Sequence, residues 1–309
     1  MKEGVGRPLR VGTRSSRLAR WQAARVAEAL RGRSGIACVE VLVATEGDRR
    51  LDRSLPEIGG KGVFTEALER SLRGRSIDLA VHSLKDLPIE ELPDLVLVAV
   101  FDRADPRDVL IAPGGRTLAA LPRGCRIGTS SVRRMAQLRA ARPDVEVVPL
   151  RGNVDTRVRK ALDGVVDAAV LAAAGVLRLG LGEAVSEVLS PEVMLPAPGQ
   201  GALAVQCRRD DLPAREALAL LDDPLARAAT TAERAFLAAL GGGCLAPVAA
   251  LARPTDGVGS DLDLVGLVLS PDGARKVRVE GRAPVGEAKS LAARLAAEAL
   301  ARGAKDLLE

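Results

Sequence analysis

One design occurs twice in this chain. LRVGTRSSRLARWQA (9–23) and CRIGTSSVRRMAQLRA (125–140) share a short apolar strand, then Gly-Thr, then Ser, then a helical pattern. A second pair follows each: SIDLAVHSLKD (76–86) and VVDAAVLAAAG (165–175), an Asp leading a run of small and β-branched residues. The first pair is separated by 116 positions and the second by 89, so the copies carry different insertions. Repetition of strand-to-helix turns predicts two α/β lobes of similar design, with the turns facing a cleft. Against this stands the plainer reading that strand–Gly–helix units recur in any α/β protein.

The punctuation divides the chain further. FDRADPRD (101–108) is polar and Pro-containing, and LPAPGQGALAVQC (195–207) has the same character before another apolar strand. Two such crossings return the chain to its first lobe and would suit a hinge. The predicted first lobe is therefore residues 8–101 with 201–220, and the second is 107–195. Residues 224–309 form a small α+β domain. It starts with the helical run DPLARAATTAERAFLAALGGGC, ended by the glycines at 241–243 as glycine ends helices. Strands near 246–252, 262–269 and 275–282 and an Ala-rich helix near 286–302 complete it. The charged, Gly-rich stretch 46–62 is a long loop, either a lid or a disordered segment.

Composition removes several functions. With 309 residues and 47% hydrophobic content, the chain can bury two or three cores. Met1-Lys2-Glu3-Gly4 leads into Arg and Pro without an apolar stretch, so a secretory start is not expected and a cytoplasmic location is. The longest apolar run, 168–177, is half of the roughly 20 residues a spanning helix needs, so no membrane association is predicted. The net charge of +5 raises nucleic acid as a partner. Three Phe, one Trp and no Tyr leave almost no platforms for stacked bases, so none is predicted. No Cys-x-x-Cys pair exists among the four Cys, and His82 is the one His, so no metal site is expected.

Helix N-termini present free N–H groups and partial positive charge. GTRSS (12–16) and GTSSVRR (128–134) each supply one, with hydroxyls and Arg alongside. Simple N-capping accounts for some of the hydroxyls. It does not account for Arg133 and Arg134, whose charges oppose the dipole in the first helical turn. Arg151, Arg157 and Arg178 follow apolar segments of the second lobe. Together these cations point to a polyanionic ligand, phosphate or polycarboxylate, without a phosphate-loop fingerprint.

VHSLKDLP (81–88) places His82, Ser83, Lys85 and Asp86 just past a buried strand, where open α/β sheets keep their chemistry. A Ser–His–Asp triad is not expected, because adjacent strand residues point to opposite faces. Asp86 is either half of a surface ion pair with Lys85 or a carboxylate placed to move a proton or face a developing cation. A buried free thiol is the default for each of Cys38, Cys125, Cys207 and Cys244; at Cys244, in GGGCLAP (241–247), three glycines offer an accessible, functional thiol as the alternative.

These segments, in order over residues 9 to about 250, resemble the hydroxymethylbilane synthase (porphobilinogen deaminase) family. The resemblance rests on LRVGTRSSRLARWQA, GGKGVFTEALE, DLAVHSLKDLP, RADPRDVL, RIGTSSVRR, LRGNVDTR, LPAPGQGALAVQCR, TAERAFL and GGGCLAPV. Departures are minor: Arg17 stands where the family often has Pro, Arg20 where it has an apolar residue, and Thr65-Glu66 where a basic residue is commoner.

The resemblance implies two periplasmic-binding-protein-like lobes around a cleft plus a C-terminal α+β domain. It implies a transferase of tetrapyrrole (haem) biosynthesis, joining four porphobilinogen molecules on a dipyrromethane cofactor held by a thioether to Cys244. It assigns Ser83, Lys85, Asp86, Thr129, Ser131, Arg133 and Arg134 to that cofactor. Arg14, Ser16, Gln22, Phe64, Arg151, Arg157 and Arg178 go to substrate, with Phe64 stacking on a ring and the 46–62 loop closing the site. Asp86 is the implied catalytic carboxylate, and a monomer is the implied state. The rival function is a non-catalytic two-lobed binding protein for an anionic solute.

Overall fold

The computed structural model describes residues 7–45, 65–243, 246–255 and 259–308. The apolar runs of both halves become strands: β1 (Leu9–Thr13), β2 (Cys38–Leu42), β3 (Leu79–Ser83) and β4 (Leu95–Phe101), then β5 (Asp108–Ile111), β6 (Arg126–Gly128), β7 (Glu146–Val148), β8 (Ala168–Ala172) and β9 (Glu187–Val188). β10 (Leu203–Arg208) follows the second crossing, and β11 (Val248–Pro254), β12 (Asp261–Leu269) and β13 (Lys276–Pro284) follow in the C-terminal part.

The first sheet has the order β2-β1-β3-β10-β4 and the second β7-β6-β8-β5-β9. In each, the first strand of the repeat runs parallel to the second and third, and the fourth position is a strand from the crossing, antiparallel to both its neighbours. The repeated stretches thus occupy the same sheet positions. The aspartates that lead the second pair also act alike. Asp78 accepts a hydrogen bond from the Arg10 backbone N–H at 2.8 Å, and Asp167 accepts one from Arg126 at 2.7 Å. Each carboxylate locks the start of its lobe's first strand to the start of its third.

Contacts divide the chain into two compact units, residues 1–102 with 202–227, and residues 103–201 with 228–309. In the first unit, the amphipathic helix Arg17–Ser34 lays Ala23, Val26 and Leu30 on the sheet beside Val11, Leu79 and Val205. Burying one Leu of this kind stabilises by about 1.5–3 kcal/mol. Ser16 caps the helix, and Gly35, at φ 69°, closes it with its N–H on Arg31 O. Around Asp78 gather Arg7, Arg10 and, at 3.7 Å, the buried Arg208.

In the second unit, two smaller cores flank the sheet. The antiparallel sheet β11-β12-β13 is covered by the helix Ala288–Ala301, which buries Leu291, Ala292, Leu295 and Ala299. Phe236, in the helix Pro224–Ala239, is fully buried against Gly266, where a Cβ would lie 2.3 Å from the ring. Ala136 and Leu195 pack with Ala249, Leu251, Leu267 and Leu269, which joins the C-terminal sheet to this unit. Glu233, also fully buried, accepts from Arg103 Nη2 (2.6 Å), Gly199 N (2.7 Å) and Ala252 N (2.8 Å). Two α/β lobes plus a C-terminal α+β domain, as the sequence predicts, are what the structure has. The 46–62 loop lies outside the described residues.

Candidate functional site: two half-sites at strand ends

Most of the expected site residues on the first unit lie beyond the C-terminal ends of β1 and β3, which are neighbouring parallel strands. Thr13, the last residue of β1, is buried and its hydroxyl donates to Ala19 O at 2.9 Å. Arg14 is half-buried. Ser16 accepts from Ala19 N at 3.3 Å, so its hydroxyl does the capping work that the simpler sequence reading assigned to it. Gln22, buried in the following helix, donates from Nε2 to Ser83 Oγ at 2.8 Å.

After β3 the chain makes a short 3-10 turn, Leu84–Asp86. Leu84 and Leu87 are buried beside Val100, Ala202 and Ala204, and Leu84 N donates to Ala202 O at 3.0 Å. Pinned at both leucines, the turn leaves Lys85 half-buried and Asp86 exposed. His82 is buried on the strand, and burial, assisted by the Arg14 charge, pushes it down to about 4. It is therefore neutral at neutral pH. Ser83 is held by Gln22, and His82 Nε2 has no hydrogen-bond partner among the described residues.

The half-site of the second unit is built on β6, β7 and β8. Thr129 is buried, its N–H bonds Val148 O at 2.9 Å, and its hydroxyl accepts from Ser131 N at 3.3 Å. Ser130 both donates to Leu150 O (3.1 Å) and accepts from Leu150 N (3.2 Å), fixing the turn after β6 to the loop after β7. Ser131 occupies the N-cap of the helix Val132–Ala141 but makes no side-chain capping bond, unlike Ser16.

Arg133 and Arg134 are buried, at 4% and 5% exposure. Both bind Asp108: Arg133 Nη2 to Oδ2 at 2.7 Å, and Arg134 Nη2 to Oδ1 at 2.7 Å. Arg133 also donates to Leu195 O, and Arg134 to Val170 O at 3.2 Å. Gln200 Nε2 completes the cluster on Asp108 Oδ1 at 2.8 Å. Asp108 explains how two cations survive in a first helical turn, against the dipole. Arg151 is half-buried, with its Nη1 enclosed and lacking a hydrogen-bond partner among the described residues. Arg157 donates to Gly152 O at 2.6 Å and Arg178 to Gly201 O at 2.8 Å. Gly201 sits at φ 90°, and a Cβ there would lie 2.5 Å from Ala104 O.

Sequence reasoning missed Asp108 and Gln200. The available signal was an Asp placed directly before the apolar Val109-Leu110-Ile111. Cys244 and Phe64 lie outside the described residues. Among the described residues, no group of three or more metal-ligating side chains occurs, and no helix is long and apolar enough to cross a membrane.

Comparison with known proteins follows the same segments. A family model described as porphobilinogen deaminase, dipyromethane cofactor binding domain, matches residues 9–216. A second, porphobilinogen deaminase, C-terminal domain, matches residues 228–301. A protein named porphobilinogen deaminase from Roseiflexus sp. (strain RS-1) is 50% identical over 299 residues, covering 96% of this chain and 97% of the relative. One of the same name from Syntrophotalea carbinolica is 48% identical over 301 residues, covering 97% and 95%. Among solved structures, a periplasmic substrate-binding protein from Coxiella burnetii superposes on 71% of this chain and 94% of its own with a TM-score of 0.42 and 15% identity. With both domain models matched in order and half of the residues shared with full-length relatives, the chain belongs to the porphobilinogen deaminase family.

Proposed function

We propose that this chain is a porphobilinogen deaminase, or hydroxymethylbilane synthase: a transferase that condenses four porphobilinogen molecules, losing ammonia at each step, into the linear tetrapyrrole hydroxymethylbilane. The observation that carries the reading is the donor set at the second unit's strand ends, where two buried guanidiniums follow Thr129 and Ser131. Porphobilinogen bears an acetate and a propionate, so each added ring brings two carboxylates. Arg presents a planar fork that matches a carboxylate, and one charge-assisted hydrogen bond is worth about 1.5–3 kcal/mol.

The residues present fit the dipyrromethane that the matched family model names. Arg133 Nε and Arg151 Nη1 are buried without hydrogen-bond partners among the described residues, as donors awaiting an anion would be. When bound, through a thioether to Cys244, this group supplies the free pyrrole carbon from which the product grows. Lys85, Thr129, Ser131, Arg133 and Arg134 would bind its carboxylates, and Ser83 would contact it. Arg14, Ser16, Gln22, Phe64, Arg151, Arg157 and Arg178 would hold substrate and the added rings.

Asp86 is assigned the proton chemistry. Its carboxylate is exposed on a turn fixed by two buried leucines, so it is available without being mobile. Loss of ammonia from the aminomethyl group of porphobilinogen leaves a cation that a carboxylate stabilises. The same oxygens can then accept the proton released on condensation. His82 is a poor candidate for the base, because it is enclosed and burial disfavours its protonated form. The reading carries with it a cytoplasmic monomer, and domain boundaries at 8–101 with 201–220, 107–195 and 224–309.

The test is direct. The purified chain is incubated with porphobilinogen, and the product is oxidised in acid and read as uroporphyrin absorbance. Uroporphyrin formation is the expected result. Porphobilinogen binding without turnover would replace this reading with that of a binding protein for an anionic solute.

A further inference from the structure

The cluster beneath the second half-site has a charge imbalance that the proposed chemistry leaves unexplained. Asp108, fully buried, is the first residue of β5 and pairs with Ala172, the last of β8, at the edge where the half-site lies. Among the described residues it is the one carboxylate within ion-pair distance of Arg133 or Arg134. Two enclosed cations thus share one enclosed anion, and a full positive charge is left over. Burial pulls the Arg133 guanidinium below its ordinary range, Asp108 opposes that pull and Arg134 adds to it. A guanidinium does not deprotonate in proteins, so the penalty stays in the folded chain until an anion relieves it. Arg133 Nε, enclosed and without a partner, marks a donor still open to that anion.

We infer that Asp108 is the internal counter-ion of the Arg133–Arg134 pair, which lets the cofactor-free chain fold with both guanidiniums enclosed and hold them in place for the cofactor's carboxylates. The inference rests on the reading that these arginines bind the cofactor. It makes Asp108 a positioning residue, acting through the two arginines and touching no reacting atom. Gln200 holds Asp108 in turn, donating to it and to Pro106 O at 2.6 Å.

The consequence is a linkage between Asp108 and cofactor loading. Before loading, Asp108 is the cluster's one anion. After loading, the cofactor's carboxylates share that task. Asp108→Asn keeps the shape and removes the charge, so it should harm the cofactor-free protein far more than the loaded one. A residue that merely packed the core would harm both equally.

The experiment measures thermal unfolding of wild type and Asp108→Asn, each cofactor-free (from cells unable to make porphobilinogen) and after incubation with porphobilinogen, with loading checked by intact mass. The Tm drop caused by the substitution should be larger in the cofactor-free form by about 5 °C or more. Equal drops in the two forms overturn the inference. Asp108→Asn/Arg134→Gln restores the original net charge and should recover most of the cofactor-free loss. Should Asp108→Asn alone fail to fold, this double variant decides: recovery supports the counter-ion role, and no recovery overturns it. A wild-type chain that gains no mass from porphobilinogen would instead sink the functional reading itself, a result distinct from equal Tm drops in chains that do load.

Discussion

Gln22 donates a hydrogen bond from Nε2 to the Ser83 hydroxyl at 2.8 Å, bridging 61 positions of sequence. The bond ties the helix capped by Ser16 to the end of β3, from which the turn carrying Lys85 and Asp86 follows. It sets the helix against the Ser83 end of β3 by a polar contact in addition to the apolar packing of Ala23 and Val26. Gln22→Met retains the volume and leaves the Ser83 oxygen without its donor. Because Ser83 is only half-buried, the stability cost should be near the low end for a lost hydrogen bond, about 1 kcal/mol, or a Tm drop of about 2–4 °C. The drop in kcat/KM should be larger, about tenfold, if the bond also orients the turn. Calorimetry with steady-state assays checks both, and an unchanged kcat/KM removes Gln22 from the site.

Asp86→Asn keeps the shape of the side chain and removes its charge. Activity should fall by about 10²–10⁴, the usual contribution of a positioned acid–base group. Asp86 is exposed, so unfolding should shift by no more than about 0.5 kcal/mol. Uroporphyrin yield measured beside Tm separates the two effects. Near-normal turnover would take Asp86 out of the proton chemistry.

Arg133 and Arg134 differ in setting from Arg178. The first two are buried on Asp108, whereas Arg178 donates to the Gly201 carbonyl. Arg133→Leu and Arg134→Leu should yield mostly cofactor-free protein by intact mass. Arg178→Leu should yield loaded protein that elongates poorly. Full loading in the Arg133 and Arg134 variants contradicts the division.

The cysteines divide by environment. Burial pushes the Cys207 thiol up to about 11, with Asp211 adding to it, and burial also raises Cys38 and Cys125. These three should stay thiols and resist alkylation of the native chain near neutral pH, since the thiolate is the reactive form. Active wild type should exceed its chain mass by two condensed pyrrole units, mapped to the tryptic fragment with GGGCLAP. Cys244→Ser should stay largely cofactor-free. An unmodified Cys244 in active protein, or full activity of Cys244→Ala, refutes the anchor.

Asp78 should govern the acid limb of stability. Burial acts to raise its carboxyl, but the hydrogen bonds from Arg10 and Arg7 outweigh that and hold it well below the usual carboxylate range. A carboxyl depressed in the folded state stabilises fully above its unfolded value, about pH 4, and that contribution is lost as pH falls further. Wild-type Tm should therefore fall more steeply than that of Asp78→Asn between about pH 5 and pH 3, although the variant starts lower at neutral pH. Parallel curves would show that Asp78 does not drive the acid limb.

Much of the site was legible because its residues follow local patterns. Gly-Thr-Ser turns after apolar runs announce strand-to-helix corners, and both candidate half-sites lie at such corners. The four elements after residue 246 were equally readable: strands expected near 246–252, 262–269 and 275–282 are found at 248–254, 261–269 and 276–284, and the last helix runs 288–301. The role of Ser16 illustrates the opposite case. Like Ser131 it is the second Ser of a pair after Gly-Thr, with Arg14 inserted, yet Ser16 caps its helix and Ser131 does not. Turn geometry after each strand decides that difference, and residue type alone does not reveal it.

The sequence by itself determined the two repeated α/β lobes, the added α+β domain, the strand-end placement of the cations and the family. All of these depend on periodicity and on short motifs, whose physics is local. Only the tertiary structure decided which charges meet. Arg7 and Asp78 lie 71 positions apart, and Arg133 and Asp108 lie 25 apart. Such partners are brought together by strand order and register, above all by the antiparallel strand that each crossing inserts. A buried ion pair forms only where that register encloses both charges, so the counter-ion of the arginine pair became visible only in the folded chain.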